Sequence, residues 1–100
     1  AHQALLEQGL RDPDVWVRYR AAEQLGAHRV IDAVPALSAL LSNPREPSLV
    51  KRAAVSALGS IGGPLAHAAL MDALRLEDED IREAAELVLQ REEARVPADA

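Results

Sequence analysis

One ten-residue phrase occurs three times in this chain, and no other feature restricts its fold as much. It reads VRYRAAEQLG at Val17–Gly26, VKRAAVSALG at Val50–Gly59 and IREAAELVLQ at Ile81–Gln90. Within each copy the apolar residues recur at every fourth position: Val17, Ala21 and Leu25, then Val50, Ala54 and Leu58, then Ile81, Ala85 and Leu89. That spacing gathers them on one stripe of an α-helix. A lone helical pair cannot cover both faces of such a stripe. Stacked side by side, each copy supplies the surface that its neighbour needs, and the core runs on along the stack.

A second stripe precedes each copy. It consists of Leu6 and Leu10, then Leu37 and Leu41, then Leu70 and Leu74. The chain therefore alternates two kinds of helix, six in all, joined by short turns. Several residues mark the boundaries. Asp12-Pro13-Asp14 and Asp78-Glu79-Asp80 place carboxylates where free backbone N–H groups begin a helix, and Pro47-Ser48 is expected to do the same before the second copy. Gly26 and Gly59 follow the last core leucine, where a left-handed cap residue is wanted. The helix with Leu37 is expected to start near Asp32, with Pro35 tolerated in its first turn. The helix with Leu70 is expected to start at Pro64, after Gly62-Gly63.

Strand-forming residues are sparse and never alternate, which points to an all-α chain. Cysteine is absent from the 100 residues, so neither disulfides nor thiolate metal sites hold the fold. With no Phe, one Trp and one Tyr, the core must be Leu, Val, Ile and Ala. A net charge of −5 disfavours nucleic acid and anionic lipid as partners. No apolar run approaches the roughly 18 residues of a membrane span, and Ala1–Leu10 lacks the basic head and apolar block of a secretory leader. A cytoplasmic setting is the expectation.

The phrase DPDVWVRYRAAEQLGA, with AVPALSALL after it, resembles the HEAT-like repeat family in the short form first associated with phycobilisome lyases. Asp14, Val17, Arg18, Ala21, Ala22, Leu25 and Gly26 fit the family's first helix, and Ala33, Pro35, Leu37 and Leu41 fit its second. The next copy fits at Val50, Lys51, Ala54, Leu58, Gly59, Ile61, Gly62, Ala66, Leu70 and Leu74. The third keeps Asp78, Ile81, Arg82, Ala85 and Leu89. The resemblance covers roughly residues 4 to 93. It implies a right-handed α-α superhelix of about three stacked hairpins, and a curved scaffold that holds another macromolecule, usually a protein. The expected division is one domain over 1–95, with a partial repeat at 1–11, repeats at 12–43 and 44–77, a terminal helix at 78–95 and a flexible tail at 96–100.

Catalytic and metal chemistry find little support. His2, His28 and His67 share no helical turn and no metal-binding motif. The acidic run Leu76–Asp80 lacks the Gly and distal Glu of a calcium loop and reads as a helix-start complement. Gly59, Gly62 and Gly63 follow no strand and precede no Lys-Ser/Thr pair, so they form no phosphate loop. No cofactor, metal or catalytic residue is expected. Asp14 and Arg18, and Asp78 and Arg82, stand four apart and are expected to pair along their own helices. Arg18, Lys51 and Arg82 share one repeat position, which suggests a structural ladder between repeats.

Two surfaces are candidates for binding another protein. Trp16 and Tyr19, the only aromatic residues, lie beside Arg18 and Arg20. Tyr19 falls at a position that is polar in the other copies, where an aromatic side chain is characteristic of a binding hot spot. The structural alternative is that the two rings fold over Pro13 or the first helix and widen a thin core. The second candidate is the face of the helices that precede each copy, expected to line the inner curve and to expose Glu7, Ala36, Ala39, His67, Met71 and Arg75. The last helix, apolar on one side only, can close a stack. The first helix is a poorer cap and leaves room for upstream repeats or a second copy of the chain. A non-enzymatic protein-interaction scaffold is the expected function. A phycobilin-lyase-like or other enzyme-complex subunit is the alternative, and a nucleic-acid binder ranks below it.

Overall fold

The computed structural model describes residues 2–95. Among them are six α-helices and no strand: α1 (His2–Gly9), α2 (Val15–Ala27), α3 (Val34–Ser42), α4 (Ser48–Ile61), α5 (Gly63–Ala73) and α6 (Glu79–Arg95). A single 3₁₀ turn, Ile31–Ala33, leads into α3. The expected tail at 96–100 lies outside the described residues. The helices form two layers in a slab 46 × 33 × 16 Å. One layer is α2, α4 and α6, which carry the repeated phrase; the other is α1, α3 and α5. Helix α4 is central and packs against α2, α3, α5 and α6.

The two leucine stripes meet between the layers. Leu25, Leu37, Leu58, Leu70 and Ile81 are fully buried there, with Val50 and Val55. Leu89 is half-buried against the same core. Val17 departs from the expected stripe: it is 40% exposed and lines an open groove between α1 and α2.

Helix starts follow the carboxylates. Asp14 caps α2, its Oδ1 accepting from the Trp16 amide at 2.8 Å. Asp78 Oδ1 accepts from the amides of Asp80 and Ile81 at 3.0 and 3.4 Å. The start of α4 differs from expectation. Pro47 occupies the cap position without a side-chain bond, and its carbonyl accepts from Val50 and Lys51.

These caps also overturn the expected pairs along each helix. Arg18 does not reach Asp14, whose carboxylate is turned to the helix amides. Its Nη1 donates back to the carbonyls of Asp12 and Pro13 at 2.7 and 3.0 Å, and its Nε to Glu46 Oε1 at 2.8 Å. Arg82 likewise donates to the carbonyls of Leu76 and Glu77 at 2.6 and 2.8 Å. Helical side chains lean toward the N-terminus, so a long Arg one turn in closes the turn before its own helix. The Arg18–Glu46 pair is a rung between neighbouring repeats, with Glu46 almost wholly buried. At the next interface Ser48 Oγ donates to Asp78 Oδ2 at 3.1 Å.

The glycines were expected as caps, and the structure assigns them another task. Gly26 and Gly59 lie inside α2 and α4. A Cβ on Gly26 would sit 2.7 Å from Ala57 Cα, and one on Gly59 would sit 2.6 Å from Val88 Cγ1. They are the points at which α4 closes on α2 and α6 on α4. The left-handed positions come later, at Arg29 (φ 50) and Gly62 (φ 68). After α2 the amide of Val30 bonds to Leu25 O and that of Arg29 to Gly26 O, a Schellman closure. The two turns share this residue and then diverge, the first into the 3₁₀ turn and the second directly into α5 at Gly63.

Candidate functional site

The close approach of α2, α4 and α6 shapes a groove of ≈650 Å³. Gly26 and Gly59 let α4 approach α2 and α6 approach α4 along its floor.

The groove is built from one solvent-facing stripe on each of its three helices. Tyr19, Glu23 and Ala27 come from α2, Arg52, Ser56 and Ser60 from α4, and Leu87 and Arg91 from α6. Four residues separate successive members of each stripe, so all face the same way. Leu49, Ala53, Ala84 and Val88 complete an apolar floor. Leu49 is 40% and Leu87 56% exposed, which leaves aliphatic surface open in a chain that buries most of its leucines. The charged lining residues are Arg52, Arg91 and Glu23. The Tyr19 hydroxyl bonds to the Glu23 carboxylate, and this bond, followed by the carboxylate's charge, raises the phenol above its ordinary pKa.

The buried stripe repeats from copy to copy, whereas this open stripe does not. Position by position it reads Tyr19, Arg52, Glu83; then Glu23, Ser56, Leu87; then Ala27, Ser60, Arg91. Buried positions answer to packing, which is the same in each copy. Exposed positions have no such constraint and are open to whatever lies in the groove.

The residues singled out from sequence fall in several places. Tyr19 lines this groove but is half-buried against the core rather than fully solvent-facing. Trp16 is 61% exposed and belongs to a second groove, between α1 and α2, together with Arg20. The two rings touch edge to face, centroids 6.0 Å apart. His67 and Met71 are exposed on α5, and Arg75 is exposed just beyond it. His67 Nδ1 lies 3.0 Å from Glu92 Oε2, a link between α5 and α6. Ala39 is exposed as expected, but Glu7 and Ala36 are half-buried, Ala36 against the core. Sequence reasoning missed Glu23, Leu49, Arg52, Ser56, Leu87 and Arg91. Their signal was available as the stripe that varies between copies at helical spacing. Among the described residues no three His, Cys, Asp or Glu side chains gather as a metal site would require, and no helix is long and apolar enough to cross a membrane.

A family model described as HEAT repeats matches residues 3–90. The chain belongs to the HEAT repeat family. Among solved structures, human deoxyhypusine hydroxylase in complex with glycerol is similar to this HEAT chain, with a TM-score of 0.84 and 29% sequence identity. The match covers 92% of this chain and 32% of that one, so the HEAT segment here spans about a third of the enzyme's length. No curated protein matches the sequence.

Proposed function

We propose that this HEAT chain is a non-enzymatic protein-interaction module whose working face is the groove across α2, α4 and α6. The observation that carries this reading is the contrast between the two stripes. The buried one is written alike in each copy, while the groove-facing one presents a phenol, arginines, serines and an open leucine in a fixed array. Such a surface combines an apolar centre with a polar rim, the anatomy of an interface that holds another protein. The enzymatic role of the similar hydroxylase belongs to that protein. The partner of the present chain is another protein, received in the groove with Leu49 and Leu87 as apolar anchors and Arg52 and Arg91 on the rim.

Capture of proteins on the immobilised chain tests this reading, with an Arg52→Glu, Leu87→Glu double variant as comparator. Both side chains are exposed, so the variant should unfold as the original chain does. Interface anchors of this kind contribute about 2 kcal/mol or more each, so proteins held by the original chain should be depleted tenfold or more on the variant. Equal capture by both, or none by the original chain, would contradict the proposal.

A further inference from the structure

Sixteen Asp and Glu residues give the chain its charge of −5, but Glu23 is the one carboxylate among the residues lining the α2–α4–α6 groove. Its charge is already engaged: the Tyr19 hydroxyl donates to it, and Arg20 stands 3.9 Å away. Arg52 and Arg91 are exposed in the same groove. Among the described residues neither has an ion-pair or hydrogen-bond partner. The groove is thus a locally basic strip on an acidic molecule. Its carboxylate lies on the α2 side, and its guanidinium groups belong to α4 and α6.

The two arginines are well separated. Arg91 shares a narrow recess with Ser60, where Gly59 meets Val88. Ser60 lies two turns beyond Arg52 on α4, which is about 12 Å. A single phosphate or carboxylate cannot serve both positions. Between them the groove is lined by Ser56 and by the aliphatic Ala53, Leu87 and Val88. A complementary occupant carries two acids about 12 Å apart with an aliphatic side chain midway. An extended chain meets that requirement directly. Four residues of it span about 13 Å, and alternate side chains face the same way. Acid, aliphatic and acid at every second position therefore fall on one face. Nucleic acid would bring a charge on every phosphate to a chain of net charge −5, with no aliphatic group for the floor.

We propose that the groove receives an extended acidic segment of another protein, with two Asp or Glu side chains on Arg52 and Arg91 and an aliphatic side chain between them on Leu87 and Val88. This rests on the groove reading proposed above and adds the chemistry of the partner. Each guanidinium presents a fork of N–H donors that matches a carboxylate. Ser56 and Ser60 offer hydroxyl groups to the backbone that lies between.

Selection of random phage-displayed peptides of about 12 residues on the immobilised chain tests the proposal. Enriched peptides should carry Asp or Glu four positions apart, with Leu, Ile or Val midway. One such peptide, fluorescently labelled, is then titrated by anisotropy. An exposed ion pair contributes up to about fivefold in affinity, and a like-charge contact removes a similar factor. Arg52→Glu with Arg91→Glu should therefore weaken binding tenfold or more. The same peptide with both acids changed to Lys should bind that double variant better than it binds the original chain. Both arginines are exposed, so the variant should unfold at the temperature of the original chain. Peptides enriched without regard to charge, and lost on Leu87→Glu, would overturn the acidic partner and leave the groove standing as a docking face. Peptides indifferent to Leu87→Glu and to both arginine changes would overturn the two readings together. Failure to enrich any peptide would overturn the acidic segment, as would tighter binding of a short labelled single-stranded DNA that the double variant abolishes.

Discussion

Leu58→Ala is expected to lower the unfolding free energy by about 2–5 kcal/mol, with helix content retained in whatever fraction stays folded. Leu58 has no exposed surface and sits in the middle of α4, the helix that contacts four others. Truncation to alanine removes its buried surface and leaves a void. The void is walled by helices fixed by their own neighbours, so the site has little means of collapsing. A domain of this size has a margin of about 5–15 kcal/mol, and this one has no disulfide to add to it. The same change at Leu89, half-buried on the outer helix, should cost clearly less. Chemical denaturation of the two variants side by side checks the order. Equal losses would mean that burial in the stack is not what holds these leucines.

Gly26→Ala is expected to be destabilising, although alanine normally favours a helix over glycine by about 0.5–1 kcal/mol. The added methyl would lie 2.7 Å from the Ala57 Cα and 2.9 Å from its Cβ. Backbone cannot swing aside as a side-chain tip can, so α2 and α4 must part. Overpacking of this kind costs about 1–3 kcal/mol, which outweighs the gain in propensity. Gly59→Ala meets only the Val88 side chain, at 2.6 Å, and a change of rotamer can absorb part of that clash. Thermal unfolding should therefore place Gly26→Ala below Gly59→Ala, and both below the original chain. A gain in stability at Gly26 would show that the two helices are not held at contact distance.

These two residues also show which parts of the fold could be read from the sequence. The leucine stripes were legible because burial imposes the helical period directly, and the alternation of helices followed from two stripes with turns between them. Gly26 and Gly59 were misread because a glycine after the last core leucine has the same spelling whether it ends a helix or admits a neighbouring one. Only the neighbour's distance distinguishes the two. Arg18 was misread for a related reason. Its spacing from Asp14 permits a pair, but the capping duty of Asp14 takes the carboxylate away, and Glu46 arrives from the next repeat, 28 residues along the chain. The family resemblance carried the architecture, and the HEAT match over residues 3–90 agrees with it.

The candidate site was less legible. Tyr19 stood out because aromatic residues are rare here, yet the groove around it is made of residues ordinary in themselves, Arg52, Ser56, Leu87 and Arg91. What joins them is that three helices bring one register position together, which only the packing of α2, α4 and α6 reveals. Trp16 and Tyr19 look like one patch in sequence. In the structure they open onto different grooves, Tyr19 toward α4 and Trp16 toward α1.

Amide hydrogen exchange, residue by residue, tests most directly whether neighbouring helices complete each other's core. Protection rises with the free energy needed to open a segment, and a helix covered on every side opens only with the whole fold. The account predicts the slowest exchange in the middle of α4, from Val50 to Leu58, faster exchange in α2 and α6, and the fastest in α1. Protection greatest in α1 or α6, or α4 exchanging as readily as α1, would contradict it.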